Sequence, residues 1–251
     1  MADELLVIGW DVGGWMGNNH GFSLIKYRYQ QESWCWSGNS VELGIPRDSL
    51  FALDYILEKA SYKKPLSEHS QVIIAVDAPL TFPAEFKKFL NDNQYFLSRP
   101  SKEIYNPLAY RKTDRYIYEK FKKKPLSAVF DRLGTNATVA IAHLRKWRQE
   151  YGFSLLPVQK NRPNRIIIEV YPALLKNSKA APAFKPIKSL LPEDLSPNTN
   201  AYDSALCAIM GLAYKKEVNI KGLPELVKVP QDDEQAKKEG WIYHFPPRYF
   251  A

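Results

Sequence analysis

Cysteine is nearly missing from this chain: Cys35 and Cys207 are the only two, and neither belongs to a CxxC pair. That excludes a disulfide framework and a cysteine-built zinc site, and it predicts reduced thiols in the cytoplasm. No apolar run approaches the ~20 residues needed to cross a bilayer, so no membrane segment is expected. The N-terminus carries Asp3 and Glu4 where a secretory signal has basic residues, so no signal is expected either. There is no internal repeat and no low-complexity tract, which excludes solenoid and fibrous architectures. Only 12 glycines are spread over 251 residues, too few for a protein built on several phosphate-cradling loops.

What is present is ordinary in amount and uneven in place. Hydrophobic residues make up 45% and charged residues 25%, values typical of a globular chain with a substantial core. The formal charge of +8 suggests a polyanionic partner. Residues 81–130 hold 11 Lys/Arg against 5 Asp/Glu, so most of the net charge lies there, together with 11 of the 33 aromatic residues. This stretch reads as a basic, aromatic-rich helical insertion within a single domain spanning 1–251.

Three segments share a form: LLVIGWDVGG (5–14), QVIIAVDAPL (71–80) and RIIIEVYPAL (165–174). Each is an aliphatic run with little alternation, the pattern of a strand covered on both faces. Each places an acid, Asp11, Asp77 or Glu169, shortly before Gly13, Pro79 or Pro172. Glycine and proline stop strands, so each acid is expected near a strand's C-terminal end. GFSLIKYRYQ and ESWCWSGNSVELG read as further strands, with a turn at Ser37-Gly38-Asn39. Helices are predicted over 49–64, 83–91, 113–124, 135–152 and 200–216, with a Pro/Lys-rich loop over 177–198 and an extended tail at EGWIYHFPPRYF. The interleaving predicts an α/β fold with a mixed sheet.

Open α/β sheets bind ligands beyond the carboxyl ends of their strands. Three acids at three such ends would converge if the strands are neighbours, and converging carboxylates repel unless they share protons or bind cations. A fourth acid, Asp203, opens the 200–216 helix. It reads either as the acid of a capping box begun by Asn200 or as a further ligand. Asp11, Asp77, Glu169 and Asp203 offer only oxygen, which suits Mg²⁺ or Mn²⁺. Two such ions ~4 Å apart would clamp a scissile phosphate between activated water and leaving oxygen. Basic and aromatic residues in 81–130 would then hold nucleic acid by phosphate contact and base stacking; the plainer alternative is a packed helical insertion with a solvated face. Arg111, Lys112, Asp114 and Arg115 lie in that segment as substrate-contact candidates, with an Arg111–Asp114 ion-pair network equally compatible with their spacing. His20 reads as a turn cap, or as a residue facing the site, and His143 as packing or surface.

The order GWDVGG, IIAVDAPL, YRKTDR, IIEVYPAL and AYDSALCAIMGLA resembles the predicted RNase H-like nuclease family (domain of unknown function 429), from about residue 6 to about residue 247. The matching positions are Asp11, Asp77 with Pro79, Arg111 with Asp114, Glu169 with Pro172, and Asp203 with Ala205. The resemblance implies an RNase H-like fold, a mixed sheet of about five strands flanked by helices, and a two-metal phosphodiesterase site. One departure is Asn200, which stands where the family often carries a further acid. Two other readings are open: a nucleic-acid-binding domain of the same fold with a degenerate site, and an actin- or sugar-kinase-like phosphotransferase. The second lacks a glycine in DAPLTFP where another phosphate loop belongs.

Overall fold

A computed structural model of the chain describes residues 4–69, 71–131, 133–160, 162–176 and 186–247. Eight strands form one mixed sheet: β1 (Glu4–Asp11), β2 (His20–Arg28), β3 (Ser33–Trp36), β4 (Val41–Leu43), β5 (Gln71–Asp77), β6 (Ser154–Leu155), β7 (Arg165–Val170) and β8 (Ile242–Tyr243). The main path runs β3-β2-β1-β5-β7-β6, with β4 also on β2 and β8 also on β7. β1, β2 and β3 are antiparallel, while β1, β5, β7 and β6 run parallel. The expected α/β class and mixed sheet are therefore present, with more strands than the five or so expected. The additional ones are two or three residues long, too short to carry a period that sequence can reveal.

The helices around the sheet whose bounds lie within the described residues are α1 (Leu53–Lys59), α2 (Ala84–Asn91), α3 (Lys112–Phe121), α4 (Leu133–Tyr151), α5 (Asn200–Ala213) and α6 (Glu234–Glu239). The first of these is shorter than the 49–64 expected, and part of the predicted 177–198 loop lies outside the described residues. None of the described helices is long and apolar enough to cross a membrane.

Both faces of the central strands are buried, as their unalternating sequences require. Leu5, Val7, Ile73, Ala75, Ile166 and Ile168 pack on one face under α5. Leu6, Ile8, Trp10, Val72, Ile74, Val76 and Ile167 pack on the other with α1 and α4. The period of two thus sends alternate apolar residues of the central strands to alternate helix layers.

Helix α5 lies unusually near β1 and β2. A Cβ at Gly9 would stand 2.0 Å from the Ser204 carbonyl oxygen, and one at Gly21 would stand 2.1 Å from that of Asn200. Any side chain at these strand positions would push the helix away, so the two glycines set how closely the first turn of α5 approaches the end of β1.

Candidate carboxylate site

Asp11 and Asp77 end β1 and β5 and are direct partners in the parallel register. Partners in a parallel pair point to the same face, and here that face is the α5 side, continuing Val7 and Ala75. Gly21 pairs with Asp11 across β2, and Glu42 on β4 pairs with Gly21. One row across the sheet therefore reads Glu42, Gly21, Asp11, Asp77. With no side chain at Gly21, the start of α5 settles over this row and brings Asp203 beside the two strand-end acids.

The cap of α5 is not the one anticipated. Thr199 is the N-cap, its Oγ1 accepting the Tyr202 amide at 3.1 Å. Glu42 supplies the acid, its Oε1 accepting the Asn200 amide at 3.1 Å and the Ala201 amide at 3.2 Å. A carboxylate at a helix N-terminus satisfies free amides and complements the dipole. Asp203, one turn further in, is left without a capping duty. Its Oδ2 accepts from the Lys176 ammonium, while its Oδ1 is buried with no hydrogen-bond partner.

Electrostatics follow from this crowding. Burial, then the charge of Asp203, pushes the Asp11 carboxyl up to about 7; Glu42 adds to the rise and Lys176 opposes it. Burial and the charges of Asp11 and Asp203 hold Asp77 well above the usual carboxylate range. All three acids remain partly open to solvent. Beneath them Cys207 is fully buried and its thiol is raised by burial and by the same three acids, so it is an inert packing group.

Glu169 does not join this cluster, and the register gives the reason. Its partner on β5 is Val76, one residue before Asp77, so its side chain leaves on the opposite face. There Arg111 grips it with two hydrogen bonds, Nη2 to Oε1 at 2.6 Å and Nη1 to Oε2 at 2.7 Å, and the Leu80 amide donates to Oε2 at 3.1 Å. The same guanidinium reaches Asp114 from Nε at 3.1 Å and from Nη2 at 2.9 Å. Burial works against charge on Arg111, but the Asp114 and Glu169 carboxylates outweigh it and keep it protonated. Arg111 and Asp114 are each 1% exposed, so these two substrate-contact candidates form an interior ion-pair network instead. Lys112 is committed as well: its amide donates to Glu239 at 2.8 Å and its ammonium pairs with Asp233 at 2.9 Å. Arg115 stands half-buried on α3. Asp77 and the Arg111 network line one small cavity of ≈ 30 Å³, and the Glu169 charge adds to the rise of Asp77.

The two histidines have structural roles. His20 Nδ1 accepts the Gly13 amide at 3.1 Å, and the ring is buried against Phe51, with its pKa lowered by burial to about 4. His143 accepts the Phe51 amide at 3.1 Å inside the α4 layer.

Residues 81–130 divide into two kinds of surface. In the α3 half, Tyr116 packs 4.9 Å from Trp241 and Phe121 packs 5.1 Å from His244, as ordinary core. Helix α2 itself has no buried residue; Phe82, Phe86 and Phe130 form a ring ladder with Phe96 and Phe89 exposed nearby in the chain.

A metal ion would find all-oxygen donors in Asp11, Asp77 and Asp203, and the orphaned Asp203 Oδ1 is suited to a ligand bond. Glu169, with both oxygens held, does not fit. Among the described residues no group of three or more His, Cys, Asp or Glu side chains is arranged to hold a metal ion. Lys176, at Asp203, occupies the place of positive charge. Neither Glu42 nor Lys176 stood out in sequence: one sits on a three-residue strand, and the other is one of 35 basic residues. Comparison of the chain with family models, with curated proteins and with solved structures returns no match.

Proposed function

We propose that the protein hydrolyses phosphodiester bonds in DNA or RNA at Asp11, Asp77 and Asp203, on a domain of RNase H-like architecture. The architecture is supported by antiparallel strands leading into parallel ones, with the acids at the ends of the neighbouring β1 and β5. The observation that carries the activity is the in-register Asp11–Asp77 pair, joined by Asp203, which among the described residues forms an ion pair with Lys176 alone. Carboxylates held together at such a cost are a device for recruiting cations.

Asp11, Asp77 and Asp203 would hold Mg²⁺ or Mn²⁺, with Lys176 displaced from Asp203. A divalent ion bound there supplies Lewis acidity to a phosphate oxygen and lowers the pKa of bound water. The remaining work belongs to the chain. Gly9 and Gly21 seat α5 so that Asp203 faces the strand ends, and Glu42 fixes the helix start. Arg111 holds Glu169 and Asp114 clear of the cluster, while the net positive charge attracts the polyanionic substrate.

The Lys176–Asp203 pair and the Arg111 lock on Glu169 also favour a second reading, a nucleic-acid-binding domain without hydrolysis. Incubation of labelled single- and double-stranded DNA and RNA with Mn²⁺ separates the two. Cleavage by the parent, reduced at least a hundredfold by both Asp11→Asn and Asp77→Asn, is the expected result. Equal cleavage by parent and variants, or binding with no cleavage, overturns the hydrolase reading.

A further inference from the structure

The turn after Asp11 does more than reverse the chain. Gly17 donates its amide to the Gly14 carbonyl at 3.1 Å, and a Cβ on Gly17 would lie 2.2 Å from the Asn19 side-chain oxygen. The turn is therefore filled by its own Asn19 and cannot collapse inward. It pushes Trp15 and Met16 outward, to 41% and 96% exposure. Large apolar residues so exposed normally mark a binding surface when they line a concavity.

A concavity is there. Trp15 and Met16 face Ile45, Pro46, Arg47 and Leu50, from the stretch after β4, across a cleft of ≈ 520 Å³. The size and the mixture, apolar walls with few polar groups, match small-molecule sites. The wall is fixed: the Trp15 indole donates from Nε1 to Thr138 Oγ1 at 3.0 Å on α4. Arg47 is the one charged residue lining the cleft, and it is exposed. A rigid indole face, a thioether and a single guanidinium suit a planar ring carrying an anionic group.

Trp15 follows Asp11 by four residues, at most about 14 Å of chain. That is the length of about four stacked nucleotides at 3.4 Å each. We propose that the cleft is a subsite for an unpaired nucleotide of the strand presented to Asp11 and Asp77, its base on Trp15 and Met16 and its phosphate on Arg47. The inference rests on the hydrolase reading for the identity of that strand. A base inside a duplex keeps its faces covered by neighbours, so the platform selects single-stranded or flipped nucleotides.

The test is fluorescence anisotropy of a labelled thymidine tetranucleotide with the full chain in EDTA, where no cleavage proceeds. Trp15→Ala should weaken binding about tenfold, in line with the loss of one stacked base, and Trp15→Phe should restore most of it. Arg47→Ala should weaken binding and reduce the slope of log affinity on log salt by about one. A duplex of the same sequence should bind all variants alike. No tetranucleotide binding by the parent, equal binding by parent and Trp15→Ala, or a self-association lost on Trp15→Ala in sedimentation would overturn the subsite. The hydrolase reading is judged separately: Trp15-dependent binding without Mn²⁺-dependent cleavage leaves the subsite and removes the hydrolase, and the converse result does the opposite.

Discussion

On one side of the sheet, Glu169 and Asp114 close around Arg111, and every oxygen of the two carboxylates is engaged. On the other side, Asp11, Asp77 and Asp203 crowd together with Lys176 as their neighbouring cation, and one buried oxygen of Asp203 has no partner. Residue type does not separate these groups, since both are acids at strand or helix ends. Register does: a one-residue offset between β5 and β7 sends Glu169 to the far face. A buried ion pair that satisfies itself is a structural solution, whereas carboxylates left in mutual repulsion need protons or a cation to share.

The sharpest way to break this contrast is to remove the cation from the satisfied side. Arg111→Ala would leave Glu169 and Asp114 buried and uncompensated, a loss of about 3–5 kcal/mol. For a chain of this size that lowers the melting temperature by roughly 6–20 °C. Asp77→Asn, on the repelling side, should leave the melting temperature unchanged or raise it. Thermal unfolding followed by circular dichroism reads both, and comparable losses would abolish the distinction between the faces.

A second effect, smaller because Asp11 is partly exposed, is its dependence on pH. The folded-state pKa of about 7 lies above the ordinary aspartate value, so folding favours the protonated form. The stabilisation is fully present below about pH 4 and is lost as pH rises through 7. Asp11→Asn removes that loss, so the variant should gain on the parent by roughly 2–4 kcal/mol between pH 4 and pH 8. The buried His20, His69, His143 and His244, lowered to about 4, destabilise the fold as pH falls from about 6.5 towards 4. That loss is common to both proteins and cancels in the difference. Urea unfolding at a series of pH values measures it, and a pH-independent gap would show that Asp11 is not held in its neutral form.

Much of this arrangement was legible beforehand. The unalternating runs ending in Asp11 and Asp77 identify doubly covered strands with acids at their ends, and the apolar face of 200–216 identifies α5. Sheet register is long-range, so sequence could not tell that Glu169 pairs with Val76 and points away. The Arg111–Asp114 spacing allowed an ion pair, but only tertiary packing supplied Glu169 as its third member. Glu42 is the clearest miss, because a helix cap borrowed from a strand 158 residues earlier leaves no local pattern. The cap assigned to Asn200 moved to Thr199 for a smaller reason, since helix ends carry a one-residue ambiguity when both neighbours are good capping residues.

The smallest of these effects bears on the lysine that stands between the two faces' behaviours. Lys176 brings to Asp203 what Arg111 brings to Glu169, but through one ammonium, with its side chain 31% exposed, rather than a buried two-pronged guanidinium. A partly exposed pair of this kind is worth at most about 1 kcal/mol, weak enough for a divalent cation to displace. Lys176→Gln removes the competing charge while keeping a hydrogen-bond donor of similar reach. Mn²⁺ affinity measured by calorimetric titration should then rise, by up to about fivefold for about 1 kcal/mol, and the metal-free protein should lose a little stability as repulsion among the three acids grows. If affinity falls instead, Lys176 is holding Asp203 in position for the ion, and the two faces would then differ only in how tightly each acid cluster keeps its cation.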